Sequence, residues 1–139
     1  IALILIGFIF EIISIFTKQS FFKQSALVLL IIGTIGVITA YFTGNAAGDG
    51  MEEGSMAKAM ELHEQAATFT LWISIITAVY YSVIFFLKIN TLWIKIVGII
   101  LFTLTVTAIS RTGYLGGQLV YKHGAGVQLE LPDFNNQNK

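Results

Sequence analysis

Two histidines, His63 and His123, are the residues of this chain best suited to bind a metal or a prosthetic group. His63 begins the stretch HEQAA with Glu64 beside it, and His123 lies in GGQLVYKHGAGV, residues 116–127. An imidazole ligand commonly has its second nitrogen oriented by a carboxylate or a carbonyl group. Cysteine is absent, so thiolate metal sites, disulfides and catalytic thiols are excluded. Imidazole, carboxylate and backbone groups remain for site chemistry.

The residues around His123 would suit a flat prosthetic group. Gly116 and Gly117 have no side chains and would let a neighbouring helix or a macrocycle come close. Tyr121 could stack on such a group, and Arg111, inside an apolar stretch, could balance a haem propionate. Each residue also has a structural interpretation: helix packing for the glycines, an interfacial position for Tyr121 and snorkelling for Arg111 and His123. For His63 the structural interpretation is a solvated helix start.

The composition indicates a membrane protein. Of the 139 residues, 55% are hydrophobic and 12% are charged, which is too apolar for an ordinary soluble domain of this length. Lysine and arginine together number 8, as do aspartate and glutamate. Without a basic excess the chain lacks the clustered cations that phosphate binding needs, so no nucleic-acid partner is expected.

Four apolar segments, near residues 1–17, 25–43, 66–87 and 92–121, approach or exceed the roughly 20 residues that cross a hydrocarbon core. In lipid they must be helices, because each backbone group needs an internal partner. Two connections are short, and a longer polar link, residues 44–65, joins the second helix to the third. We therefore predict an all-α, integral membrane four-helix up-down bundle. Residues 1–139 form a single transmembrane domain, with 122–139 as a polar C-terminal tail.

The basic residues predict the orientation. Lys18, Lys23, Lys88 and Lys95 lie in or beside the two short connections, so that face is expected to be cytoplasmic. Both histidines then lie at the opposite, periplasmic face of a bacterial inner membrane. A count of helical rise places His123 on the order of 10 Å higher than His63, which does not exclude ligation of one haem by both. Glu11 is a further ionisable candidate within the first apolar segment.

Four stretches carry a resemblance to a known family: IALILIGFIFE at the start, TGNAAGD at residues 43–49, HEQAA at 63–67 and GGQLVYKHGAGV at 116–127. Together they resemble the family called domain of unknown function 2231, small four-helix bacterial membrane proteins. The resemblance covers nearly the whole chain. It implies histidines at the ends of several helices, similar to a haem b pocket or a metal site. It also implies a His-Phe-Pro element and a further histidine before the first helix, and we expect these upstream of Ile1.

These observations favour a membrane-bound, b-type cytochrome-like electron-transfer protein. His63 and His123 are the candidate axial ligands, either of one haem or each with a partner from the segment upstream of Ile1. Arg111, Gly116, Gly117 and Tyr121 would line the haem. Two other interpretations stay open: an accessory subunit that packs in a larger membrane complex, and a copper or zinc site built on His63, His123 and Glu64. The expected partners are the lipid bilayer, a redox protein or larger membrane complex, and further copies of the chain.

Overall fold

A computed structural model of the protein describes residues 1–17, 19–48 and 56–125. Four helices account for nearly all of them: α1 (Ala2–Thr17), α2 (Ser20–Gly48), α3 (Ala57–Phe86) and α4 (Leu92–His123). α1 packs on α2, α2 on α3 and α3 on α4, whereas α1 and α4 touch more lightly. No strand occurs in this part of the chain. The predicted all-α membrane bundle of four helices is confirmed.

The outer surface of the bundle is apolar. α2, α3 and α4 contain 29, 30 and 32 residues and are long and apolar enough to cross a membrane. α1 is equally apolar in character and shorter, with 16 residues. Large side chains such as Phe42, Trp72 and Ile100 are exposed on the outside of these helices. A soluble protein rarely exposes so much apolar surface, and the bilayer is the environment that accommodates it. The protein is therefore membrane-bound.

The helices extend beyond the apolar segments. α2 begins at residue 20 rather than 25 and ends at 48 rather than 43, and α3 begins at 57 rather than 66. The predicted polar link of residues 44–65 is wrong over most of its length, because residues 44–48 and 57–65 are helical. Hydropathy marks where a helix leaves the apolar layer, whereas good helix formers such as those in AKAMEL continue the helix beyond it. His63 is consequently the seventh residue of α3 and does not begin it.

The two ends of the bundle differ. We call the end with the α1–α2 and α3–α4 connections the hairpin end, and the end where α2 and α4 finish and α3 begins the link end. Lys88 takes the left-handed conformation (φ 52°) in the α3–α4 connection. At the link end Gly124 (φ 67°) terminates α4, as expected of a C-terminal glycine, and its N–H donates to the Val120 carbonyl at 3.0 Å. Lys122 and His123 thus belong to the last turn of α4, and residues 126–139 lie outside the described residues.

The interior combines a small apolar core with interhelical hydroxyl contacts. Phe102 is fully buried, with its ring edge-on to Phe8 of α1 at 5.4 Å and to Tyr81 of α3 at 5.5 Å between centroids. Between α3 and α4, hydroxyls pair at 2.8 Å in two places, Thr77 with Thr105 and Thr70 with Thr112. In lipid such pairs hold helices together, since apolar burial alone provides little net attraction there.

Replacement of Gly33 by alanine tests the packing of α1 on α2. A β-carbon at position 33 would lie 2.6 Å from Cγ1 of Ile4, which is fully buried. At Gly36, in the same helix, it would meet nothing within 4 Å. We expect Gly33→Ala to lower the free energy of unfolding by about 1–3 kcal/mol through overpacking. Gly36→Ala should raise it by up to about 1 kcal/mol through helix propensity. Unfolding in mixed micelles, followed by circular dichroism, measures both, and equal effects would contradict this packing.

Replacement of Thr105 by valine tests the hydroxyl contacts. The Thr105 hydroxyl lies 2.8 Å from the Thr77 hydroxyl on the neighbouring helix, and Thr77 would lose that partner. The matched control is Thr103→Val, because the exposed Thr103 hydroxyl bonds only to the Ile99 carbonyl of its own helix. We expect Thr105→Val to cost about 0.6–1.7 kcal/mol of stability in micelles and the control to cost less. A control that costs as much would show that the interhelical pair is unimportant.

Candidate functional site

His63 packs directly on the backbone of α4. A β-carbon placed on Gly116 would lie 3.1 Å from Cε1 of His63 and 3.5 Å from its Nδ1. The absence of a side chain at Gly116 therefore lets the imidazole occupy the space between α3 and α4. The ring is half-buried. Of the two histidines, this is the one that the fold places inside the bundle.

The Nδ1 atom of His63 is buried and has no hydrogen-bond partner among the described residues. A buried polar atom without a partner costs about 1–3 kcal/mol. Most buried polar groups in native proteins are satisfied, so an exception indicates strain, an ion, a water molecule or a functional role. The imidazole is therefore the group most ready to accept a ligand in this half of the protein.

Two cavities meet at His63. The link-end cavity, of about 280 Å³, extends from His63 toward Gly48 and Glu64. The central cavity, of about 350 Å³, extends toward Thr70 and Thr112 in the middle of the bundle. Both walls include the same five residues, namely Ala40, Tyr41, His63, Ala67 and Gly116. The two spaces adjoin, and each is near the lower limit of ordinary ligand pockets, about 300 Å³.

Small residues on α2 give these cavities their width. A β-carbon on Gly36 or Gly44 would meet nothing within 4 Å, and each glycine lines one of the cavities. The polar groups in the walls are few. Tyr41 pairs with the Thr68 hydroxyl at 3.2 Å, and Thr70 pairs with Thr112 at 2.8 Å. Nδ1 of His63 is thus an unpaired polar atom between walls whose other polar side chains are these hydroxyls, Asn45 and Glu64.

Met60 and Glu64 share the link-end cavity with His63. They lie three residues before and one residue after it on α3, and a β-carbon on Gly48 would lie 3.0 Å from the Met60 methyl group and 4.0 Å from Glu64 Oε1. The cavity therefore presents a thioether, an imidazole and a carboxylate. Sequence reasoning considered Glu64 and missed Met60, although the three-residue spacing of Met60 and His63 indicates a shared helix face.

The other predicted site residues lie elsewhere. His123 follows Gly116 by seven residues, about 10 Å further along α4, and its side chain is exposed. Arg111 and Tyr121 lie five residues before and after Gly116, each about 140° around the helix from it, and both are exposed. None of these three lines either cavity at His63. Gly117 also lies outside both walls.

The structure thus joins His63 with Gly116 and does not bring the two imidazoles into one cavity. Within residues 1–17, 19–48 and 56–125, no group of three or more His, Cys, Asp or Glu side chains is placed to hold a metal ion. Among the described residues, a ligand at His63 would meet one imidazole together with groups of another kind.

Comparison with known proteins gives one match. The family model described as "Predicted membrane protein (DUF2231)" matches residues 1–129. No curated protein and no solved structure matches the chain. The family model covers the four helices and the cavities between them, and its description adds no activity to the membrane location.

Chemical modification separates the two histidines. Because His123 is exposed and His63 is packed on Gly116, we expect diethylpyrocarbonate to acylate His123 several times faster than His63. Gly116→Ala should displace the His63 ring and change its rate, whereas Gly117→Ala should not, since nothing lies within 4 Å of a β-carbon there. Peptide mass spectrometry over time gives both rates. Equal rates for the two histidines, or equal effects of the two alanines, would contradict the described contact.

Proposed function

The chain belongs to the DUF2231 family of predicted membrane proteins, and we propose that it holds haem b through His63 and serves in electron transfer. The observation that carries the proposal is the buried Nδ1 of His63, which has no partner among the described residues and belongs to a side chain that lines two adjoining cavities. Imidazole is a common axial ligand of haem iron. Bound haem would supply the one-electron chemistry, and the protein would supply the ligand and a low-polarity pocket.

The lining of the two cavities supports a large, mainly apolar group. The two cavities run along α2 on both sides of His63, and Gly36 and Gly44 leave space for a macrocycle edge there. Met60 would contact the bound group from the wall of the link-end cavity. His123, which was expected to be a ligand, is exposed two turns further along α4.

The exposed residues have a different role in this proposal. Arg111, Tyr121 and His123 lie on the outside of α4, where they are available to lipid headgroups, a redox partner or a second copy of the chain. The basic residues of the hairpin end assign that end to the cytoplasm by the positive-inside tendency. The link end, with its haem, would then face the periplasm of a bacterial inner membrane, where it could exchange electrons with a redox protein or a larger complex.

A copper site is the second candidate. It is favoured by the thioether of Met60, the imidazole of His63 and the carboxylate of Glu64 in one cavity wall. Soft sulfur ligands together with imidazole select copper over zinc, which prefers imidazole, thiolate or carboxylate. The copper or zinc site expected from His63, His123 and Glu64 would lack His123, which does not line this cavity.

An absorption spectrum of the purified protein tests the haem proposal. Expressed with an adequate haem supply and purified in detergent, the full chain should show a Soret band and, when reduced, the α band of a b-type haem. We expect His63→Ala to abolish both bands, because the proposed ligand is removed. His123→Ala is the matched control and should retain them. Met60→Leu should keep bound haem and shift its reduction potential.

Metal analysis of the same samples separates the alternatives. Copper without haem, lost in both His63→Ala and Met60→Leu, would replace the haem proposal by the copper site. A protein that carries neither, and that co-purifies with the same membrane partners whether or not His63 is replaced, would be an accessory subunit.

A further inference from the structure

The hairpin end of the bundle contains a separate cavity of about 550 Å³. All four helices contribute to it, and it lies at the opposite end of the protein from His63. Its walls are mixed: isoleucine, leucine and phenylalanine side chains alternate with charged and hydroxyl-bearing ones. The proposed haem site does not use any of these groups.

Glu11 provides an unpaired acceptor in this cavity. Its Oε1 accepts a hydrogen bond from the Tyr81 hydroxyl at 3.3 Å, while its Oε2 is buried without a partner among the described residues. Tyr81 is held in place by the Phe102 ring and by Gly98, where a β-carbon would lie 3.1 Å from the Tyr81 hydroxyl. The carboxylate is thus fixed in position with one oxygen free to accept a hydrogen bond from a ligand.

Donors surround the mouth of the same cavity. Lys23 of α2 and Lys95 of α4 both line it, and both side chains are exposed. Gln19, Ser20 and Asn90 add uncharged donors near the connections. Two cations with several neutral donors match an anion, and a phosphate group is the anion that lysine binds most commonly as a point charge. A ligand that pairs with all of these groups carries an anionic group near the two lysines and a hydrogen-bond donor near Oε2 of Glu11.

The cavity adjoins the most lightly packed pair of neighbouring helices. α1 and α4 touch least of the neighbouring helix pairs. Their contacts occur at Phe8 with Phe102 and, near the other end of α1, at Ile1 with Gly113. Toward the hairpin end the cavity lies between these two helices, bounded by apolar residues such as Ile15 and Ile94. An acyl chain could pass through this gap while its headgroup remains inside.

We propose that the hairpin-end cavity binds a phosphodiester headgroup bearing hydroxyl groups, as in phosphatidylglycerol, supplied by the adjoining lipid leaflet. The phosphate is held by Lys23 and Lys95, and a headgroup hydroxyl donates to Oε2 of Glu11. Basic pockets between transmembrane helices are a known form of anionic-lipid site. The ligand's acyl chains contact the apolar walls and leave between α1 and α4.

Native mass spectrometry of the full chain in detergent tests the proposal, with short-chain phosphatidylglycerol, phosphatidic acid and phosphatidylcholine added separately. We expect phosphatidylglycerol to bind best, and phosphatidylcholine, which has no net charge and no headgroup donor, to bind least. Lys23→Gln with Lys95→Gln should weaken phosphatidylglycerol binding by roughly fivefold for each lysine. The matched control replaces Lys58 and Lys122, which are exposed at the link end, and should bind as the unchanged protein does.

Glu11→Gln separates the hydroxyl contact from the charge contact. The amide offers an NH2 group or a single carbonyl oxygen where the carboxyl group offers Oε2, and this change should reduce the preference for phosphatidylglycerol over phosphatidic acid, which lacks the glycerol hydroxyls, by about tenfold. Equal binding of phosphatidylglycerol and phosphatidylcholine, or no difference between the two double-lysine variants, would overturn the proposal. Binding of soluble glycerol phosphate as tightly as of the lipid would assign the same headgroup chemistry to a soluble ligand and overturn the lipid source. Both lysines are exposed, so their replacement should leave folding intact.

Discussion

Inside the low-dielectric membrane layer each polar group needs a hydrogen-bond partner, and the rest of this structure depends on that constraint. Backbone groups meet it within the helices, and threonine hydroxyls meet it by bonding to their own helix or to a neighbour. The outer surface can then be almost wholly apolar. Against this background the few buried atoms that lack a partner among the described residues, Oε2 of Glu11 and Nδ1 of His63, become informative.

The residues that carry these atoms lie at opposite ends of the bundle: His63 lines two adjoining cavities and Glu11 lines a third. Glycines let helices approach closely at some levels, as Gly33 does at Ile4, and Phe102 is fully buried between α1 and α3. The link-end space presents an imidazole, a thioether and a carboxylate, whereas the hairpin-end space presents a carboxylate and two lysines. The two ends therefore offer different polar groups to a ligand.

The sequence predicted the fold class, the number of helices and the membrane environment, because hydropathy reports directly on lipid exposure. It also indicated His63 and Gly116 as candidate site residues, because few other residue types offer a nitrogen ligand or the close approach that a glycine allows. The sequence could not predict which face of α4 is turned toward the bundle interior, and that face contains Gly116 but not Arg111 or Tyr121. Nor could it predict the height along the bundle at which α3 contacts α4. Those depend on side-chain packing between helices. Met60 was missed because a methionine on an apolar helix face is indistinguishable by pattern from a core residue.

The central claim is that His63 ligates a prosthetic group between α2 and α4. Crystals of the full chain grown with haem, measured at the iron absorption edge, test it most directly. The account predicts an anomalous peak at bonding distance from a nitrogen of His63, within the space bordered by Ala40 and Gly116. A peak beside His123, or none anywhere in a crystal with an ordered, empty link end, would contradict it.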